Sequence, residues 1–209
     1  MLECRFSAAA GQVGGLRLSG KGLCMQADGQ SESRKSVLRE LVETIVLTLV
    51  IYALVRVFLF ENYRVLGHSM DPTLENDQFL VVSKLGYRLH DPERGDVIVF
   101  RDPRTDDRKL IKRVIGLPGE VVEIKNGEVF INNRPLEEEY ITNPARYSQP
   151  PTPIPEEQYF VLGDNRNNSS DSHNWGTLPR ENVIGAAWVS YWPPRLWGII
   201  RHQVYGDMP

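Results

Sequence analysis

Three stretches of this chain hold residues that could do chemistry: a serine in a turn, a lysine inside an apolar run, and a loop crowded with polar groups. Ser69 stands in Val65-Leu66-Gly67-His68-Ser69-Met70-Asp71-Pro72-Thr73-Leu74. Gly67 permits close approach of another backbone, while Pro72 disfavours helix at Asp71 and sets a turn. A hydroxyl so placed becomes a nucleophile only beside a base; without one, Gly-His-Ser-Met is an ordinary loop. Lys112 lies in Leu110-Ile111-Lys112-Arg113-Val114-Ile115. In an extended strand Ile111 and Arg113 face one way and Lys112 the other. On a solvated face Lys112 is an ordinary strand lysine. Buried near Ser69, it would lose its proton more readily and could act as the base.

The third stretch runs Gly163-Asp-Asn-Arg-Asn-Asn-Ser-Ser-Asp-Ser-His-Asn-Trp-Gly176. Side chains of this kind fix a loop by bonding to nearby backbone. His173 is a second candidate base for Ser69. Asp164, Asn168, Asp171 and His173 could attract a cation, but their spacing fits no calcium loop. The chemistry of Ser69 with a base needs neither a metal nor any other cofactor.

The elements that must position these groups follow from composition and periodicity. The chain has 209 residues and a net charge of −3, without the basic cluster of a nucleic-acid-binding face. Residues 1–36, rich in Gly and Ser, read as a disordered N-terminal segment; an organelle transit peptide and an over-long start preceding Met25 are both open. Cys4 and Cys24 fall within it and cannot staple the main domain. Residues 37–60 read as one transmembrane helix, since Leu41 to Phe60 has the length a bilayer needs and places Glu43 and Arg56 near its ends. Arg34, Lys35 and Arg39 precede it, so the N-terminus is expected on the cytoplasmic side and residues 61–209 on the outer face. Ser69 then lies close to the membrane surface.

Beyond the apolar run the pattern is mainly β. Strands are expected at Gln78–Ser83, Gly95–Phe100, Leu110–Ile115, Tyr159–Leu162 and Val183–Tyr191. Glu120–Lys125 and Glu128–Asn132 flank Asn126-Gly127, a strong hairpin signal. Leu136–Pro155 carries five prolines and reads as a loop. Many short strands with turns between them predict a β-barrel or sandwich-like domain.

The polar and apolar boxes together resemble a type I signal peptidase, in the variant typical of cyanobacteria and thylakoids. The boxes stand in the family's order as Ser69-Met70-Asp71-Pro72-Thr73-Leu74, Gly95-Asp96-Val97-Ile98-Val99-Phe100, Lys112-Arg113-Val114-Ile115-Gly116-Leu117-Pro118-Gly119, and Gly163 through Ser172. The resemblance covers residues 37–192. It implies a Ser/Lys dyad, with Ser69 attacking the scissile carbonyl and Lys112 as general base. It implies that Ser169 holds the Lys112 amine, that Asp164, Arg166 and Asp171 brace the last loop, and that Met70 packs beside the nucleophile. The strand Asn62–Gly67, with Tyr63, Val65 and Gly67, would pair with an extended signal peptide of a secretory precursor. Two positions depart from much of the family. Gly67 stands where many members carry a serine that helps bind the oxyanion, and His173 stands where many carry arginine. Trp192-Pro193-Pro194-Arg195-Leu196-Trp197 is either an interfacial anchor or a packed terminus.

The expected partners are therefore signal peptides and the lipid bilayer, in a bacterial plasma membrane or a thylakoid, with no nucleic acid; oligomeric state is left open. Two other functions compete: an inactive membrane-anchored β binding domain, and a self-cleaving Ser/Lys protease of the same clan.

Overall fold

The alternation of apolar and polar residues after Phe60 builds two antiparallel sheets in the computed structural model, which describes residues 29–105 and 107–205. Helix α1, Gly29–Phe58, precedes them. Its start corrects the expected irregular segment: Glu32, Arg34 and Lys35 are residue types that favour helix, and extending an existing helix adds one hydrogen bond per residue fixed. Residues 1–28, with both cysteines, lie outside the described residues. Apolar side chains of α1 from Val37 to Leu54 are exposed, Leu41, Ile45, Leu49 and Tyr52 among them. No helix among the described residues is long and apolar enough to cross a membrane; the described side chains of α1, residues 37–55, include Arg39, Glu40 and Glu43. The chain divides into two units between Leu47 and Thr48, and the second holds both sheets.

In chain order the strands begin with β1 Phe60–Arg64, β2 Phe79–Ser83, β3 Val97–Arg101 and β4 Lys109–Gly116. A hairpin, β5 Val121–Lys125 and β6 Glu128–Ile131, turns at Asn126-Gly127, both with positive φ as the turn requires. Then come β7 Arg134–Pro135, β8 Gln149–Pro153, β9 Gln158–Leu162, β10 Leu178–Pro179, β11 Val183–Trp192 and β12 Gly198–Ile199. Two one-turn helices, α2 Gly86–Leu89 and α3 Ser172–Trp175, lie between strands. The larger sheet runs β1-β2-β11-β3-β4-β9-β10, with β12 added on β11; the smaller runs β7-β6-β5-β8. The fold is thus mainly β, its large sheet open at β1 and β10.

Strand β8 corrects the expected loop over 136–155. Among the described residues it is an edge strand, pairing only with β5 through Val121↔Pro153, Val122↔Thr152 and Ile124↔Gln149. Proline cannot donate to a ladder but is tolerated at such an edge. The strand expected over Asn62–Gly67 is also shorter, since its ladder with β2 ends at Arg64↔Phe79.

β3 and β4 form the centre. Val97, Ile98, Phe100, Val114 and Ile115 are fully buried, each contributing roughly 1.5–3 kcal/mol by leaving water. Lys112 and Arg113 are consecutive on β4 and both buried. Consecutive strand residues face opposite sides, so β4 is covered on both. That overturns a solvated face for Lys112 and obliges two cations to find partners inside.

Candidate active site

Ser69 sits in a loop closed at its base by two backbone bonds, Val65 N–H to Gln78 O at 2.8 Å and Asp77 N–H to Val65 O at 2.9 Å. Within it, Gly67 N–H donates to Asn76 Oδ1 at 2.7 Å. Met70 and Leu74, each 1% exposed, anchor the loop in a cluster with Val65, Leu80, Val97, Ala187 and Ile200. Both sides of Ser69 are thereby pinned while its hydroxyl points elsewhere.

That hydroxyl meets β4. Lys112 Nζ lies 2.6 Å from Ser69 Oγ and donates to Ile111 O at 2.8 Å. Lys112 is 3% exposed. Burial disfavours its ammonium form and pushes its pKa down to about 8, although the carboxylates of Asp171 and Asp164 pull the other way. A lysine tuned to this range is a competent base near neutral pH.

Asp164 secures the other side of the strand. It accepts from Arg113 Nε at 2.9 Å and Nη2 at 2.7 Å, and from Thr73 Oγ1 at 2.5 Å. Arg113 also donates to Gly95 O at 2.8 Å, and its guanidinium stacks 4.0 Å from the Tyr140 ring centroid. Since Thr73 belongs to the Ser69 loop and Arg113 follows Lys112, this one carboxylate ties the two halves of the site together. The roles of Arg113, Thr73 and Tyr140 were not read from the sequence. An arginine directly after a lysine in an apolar strand was the available signal, because one of the two must need a buried counter-ion.

The 163–176 loop wraps the backbone of Ser69. Asn165 donates twice, from its N–H to Ser69 O at 3.1 Å and from Nδ2 to His68 O at 2.9 Å. Gly163 permits the approach: a Cβ there would fall 2.4 Å from Ser69 O and 2.3 Å from Ser169 Oγ. Asp171 accepts from Gly163 N–H at 2.9 Å and lies 2.6 Å from His173 Nδ1. Arg166, 1% exposed, donates to Gly163 O at 3.1 Å and makes a two-pronged bond to Glu138 at 2.7 and 2.6 Å. Asp164, Arg166 and Asp171 thus brace the loop, and Asn165, Gly163 and Glu138 join them.

Other expected residues stand apart. Ser169 Oγ is buried and has no hydrogen-bond partner among the described residues, and the Lys112 amine donates to Ile111 O. Ser169 packs against Gly163. His173 faces Asp171 and stacks on Tyr147 at 3.9 Å between centroids, while the partner of Ser69 is Lys112. Gly67 has open space where a Cβ would lie, and its φ of +98° explains the residue better than close approach does. Among the described residues no three His, Cys, Asp or Glu side chains gather as a metal site.

A narrow cleft of about 120 Å³ opens from Ser69 and Lys112, with Tyr63, Val65, Leu80, Val99 and Ile111 in its walls. Its two long sides are strand edges. Among the described residues β1 pairs only with β2, and β9 joins β4 only from Arg113 onward. Val114 exchanges bonds with Asp96 O and Gly95 N on the β3 side, so by alternation Ile111 and Lys109 turn their backbone groups to the open side. Asn62 is exposed on β1, beside this slot in sequence but not in the cleft wall.

The family model described as signal peptidase, peptidase S26, matches residues 38–192. Signal peptidase I of Leptolyngbya laminosa is 46% identical over 166 residues, covering 76% of this chain and 81% of its own. A Synechocystis sp. protein named probable signal peptidase I-2 is 44% identical over 165 residues, covering 75% of each chain. Thylakoidal processing peptidase 1 of Arabidopsis thaliana is 38% identical over 136 residues, covering 60% of this chain and 40% of its own. With residues 38–192 matched by the family model and relatives of this name 44–46% identical over three quarters of the chain, the chain belongs to the signal peptidase family, peptidase S26.

Proposed function

We propose that this protein is a membrane-anchored serine endopeptidase that removes signal peptides from precursor proteins, with Ser69 as nucleophile and Lys112 as general base. The observation that carries the reading is the 2.6 Å approach of Lys112 Nζ to Ser69 Oγ in a site that excludes water from the amine. Neutral Lys112 takes the hydroxyl proton as Oγ attacks the scissile carbonyl, then gives it to the leaving amine. A water activated by the same amine hydrolyses the acyl-enzyme. Among the described residues the Ser69 N–H has no acceptor, which leaves it free for the oxyanion.

The precursor binds as a strand in the slot between β1 and the 109–112 edge of β4, adding backbone bonds to an existing sheet. Small side chains before the scissile bond fit the 120 Å³ cleft. Asp164, Arg166 and Asp171 keep the loops in register; Tyr63 and Val65 shape the pocket, with Asn62 and Gly67 at its approaches.

The membrane role rests on the apolar run from Leu41 to the end of α1 at Phe58, shorter by two residues than the span expected to Phe60 but still within the range a bilayer needs, and on the exposed apolar side chains of α1. Positive charge before this stretch sets the N-terminus in the cytoplasm and the β domain outside, in a bacterial plasma membrane or a thylakoid. The test is processing of a precursor by the purified full chain and its Ser69→Ala variant. Cleavage by the parent alone supports the enzyme, and cleavage by neither supports a binding domain. Release of the protein from membranes by carbonate extraction would contradict the anchor.

A further inference from the structure

The strand slot does not end at Lys109. Tyr63 and Lys109 line the apolar cleft at Ser69 and also a second cleft of about 460 Å³ farther along β1. The second cleft is of opposite character. Glu61, Lys84, Arg101 and Arg180 also line it, so four cations face one carboxylate. Glu61 is shared by Lys84 at 2.7 Å and Lys109 at 3.2 Å, while Arg180 is engaged by Asp91 at 3.0 Å. Lys109 also reaches Tyr63 Oη at 3.2 Å. Arg101 is exposed, and its guanidinium has no partner among the described residues. The cations therefore exceed the carboxylates they pair with, at the end of a groove built to hold extended peptide.

We infer that this basic cleft is a substrate subsite that favours an acidic side chain upstream of the small residues at the scissile bond. The inference rests on the slot being the seat of the signal peptide. Lys109 is three residues from Lys112 on β4. At about 3.3 Å per residue, a peptide whose last residue before the cut lies at Lys112 brings its fourth residue to Lys109. The fifth and sixth then lie over the cations, one on each face of the peptide. A carboxylate there pairs with Arg101 or the Lys84–Lys109 cluster, whereas a lysine meets like charge.

The experiment is cleavage of one precursor by the full chain in neutral detergent, with Glu, Gln or Lys placed in turn at position −5 and then at −6. The expected order at one of the two positions is Glu over Gln over Lys. The Glu-to-Lys ratio in kcat/KM is about fivefold at low salt, in the range of a partly exposed ion pair, and collapses at high salt. Arg101→Glu and Lys109→Glu should each invert the order. Arg101 has no partner to lose, so its variant keeps the test valid if Lys109→Glu fails to fold. Equal rates for all three side chains, or an order unchanged by both reversals, would overturn the inference. So would equal rates accompanied by loss of binding of the reversed variants to phosphatidylglycerol vesicles, which would assign the cleft to anionic lipid. A parent enzyme that cleaves no precursor at all would overturn the signal-peptide reading, whereas cleavage without charge preference overturns only the subsite.

Discussion

Asp164 and Arg113 form a two-pronged pair at 2.9 and 2.7 Å, and both are essentially without solvent exposure. Because Thr73 bonds the same carboxylate, this pair joins the loop of the nucleophile to the strand of the base. Removing one partner of a buried pair strands the other charge, at a cost of about 3–5 kcal/mol. Asp164→Ala should therefore lower the urea midpoint markedly and abolish processing. Thr73→Val, which removes the bond to the Asp164 carboxylate and a longer one from Arg113 Nη2 but strands no charge, should cost less, about 1.5–3 kcal/mol. Equal urea midpoints for parent and Asp164→Ala would show that the pair does not hold the domain together.

The buried lysine makes stability depend on pH in a definite direction. Its folded pKa of about 8 lies below the ordinary value of 10.5, so the unfolded chain binds the proton more tightly between these values. Stability contributed by this group rises as pH climbs from 8 to 10.5, and below pH 8 the full penalty is present. Lys112→Met should then be more stable than the parent at about pH 6, by on the order of 3 kcal/mol. The gap should close toward pH 10.5, the ordinary lysine value. Urea unfolding of the two proteins across this range measures it, and a constant gap would contradict a depressed pKa.

Gly67 separates backbone from hydroxyl. Its φ of +98° strains any L residue, by about 1–2 kcal/mol, though no atom blocks a Cβ there. Gly67→Ser and Gly67→Ala should lower kcat/KM alike, because the strain is common to both. If serine raised turnover while alanine lowered it, the site would instead lack an oxyanion donor that a hydroxyl at 67 can supply.

Substrate specificity should follow the alternation of a strand. In the proposed binding mode residues −1 and −3 would face the cleft walled by Val65, Leu80 and Ile111, and −2 would face away. Ala→Phe at −1 or −3 should block cleavage of a precursor, while the same change at −2 is tolerated. Equal tolerance at all three positions would exclude binding by strand addition.

Much of the site was legible because local sequence and buried chemistry coincide there. Ser69 before Pro72 reads as a turn, whereas periodicity alone leaves Lys112 an ordinary strand lysine, and it is the family resemblance that pairs it with Ser69. The hairpin at Asn126-Gly127 follows from turn stereochemistry alone. What stayed hidden depends on sheet order. β8 reads as a loop because three of its five residues are proline, which forbids a central strand, and its edge position makes it possible. The Thr73–Asp164–Arg113 bond set joins residues far apart in sequence, and no local pattern announces it. Family resemblance assigns Ser169 to the Lys112 amine, but its hydroxyl lies against Gly163 and Ile111 O takes the amine.

The most direct test of Lys112 as base is the pH dependence of kcat/KM for one precursor in the parent and in His173→Ala. Lys112 must lose its proton to act, so activity should rise with pH on an acid limb centred near 8, the value its burial sets. That limb should remain in His173→Ala, because the imidazole faces Asp171. An acid limb that disappears in His173→Ala would contradict the Ser69–Lys112 dyad.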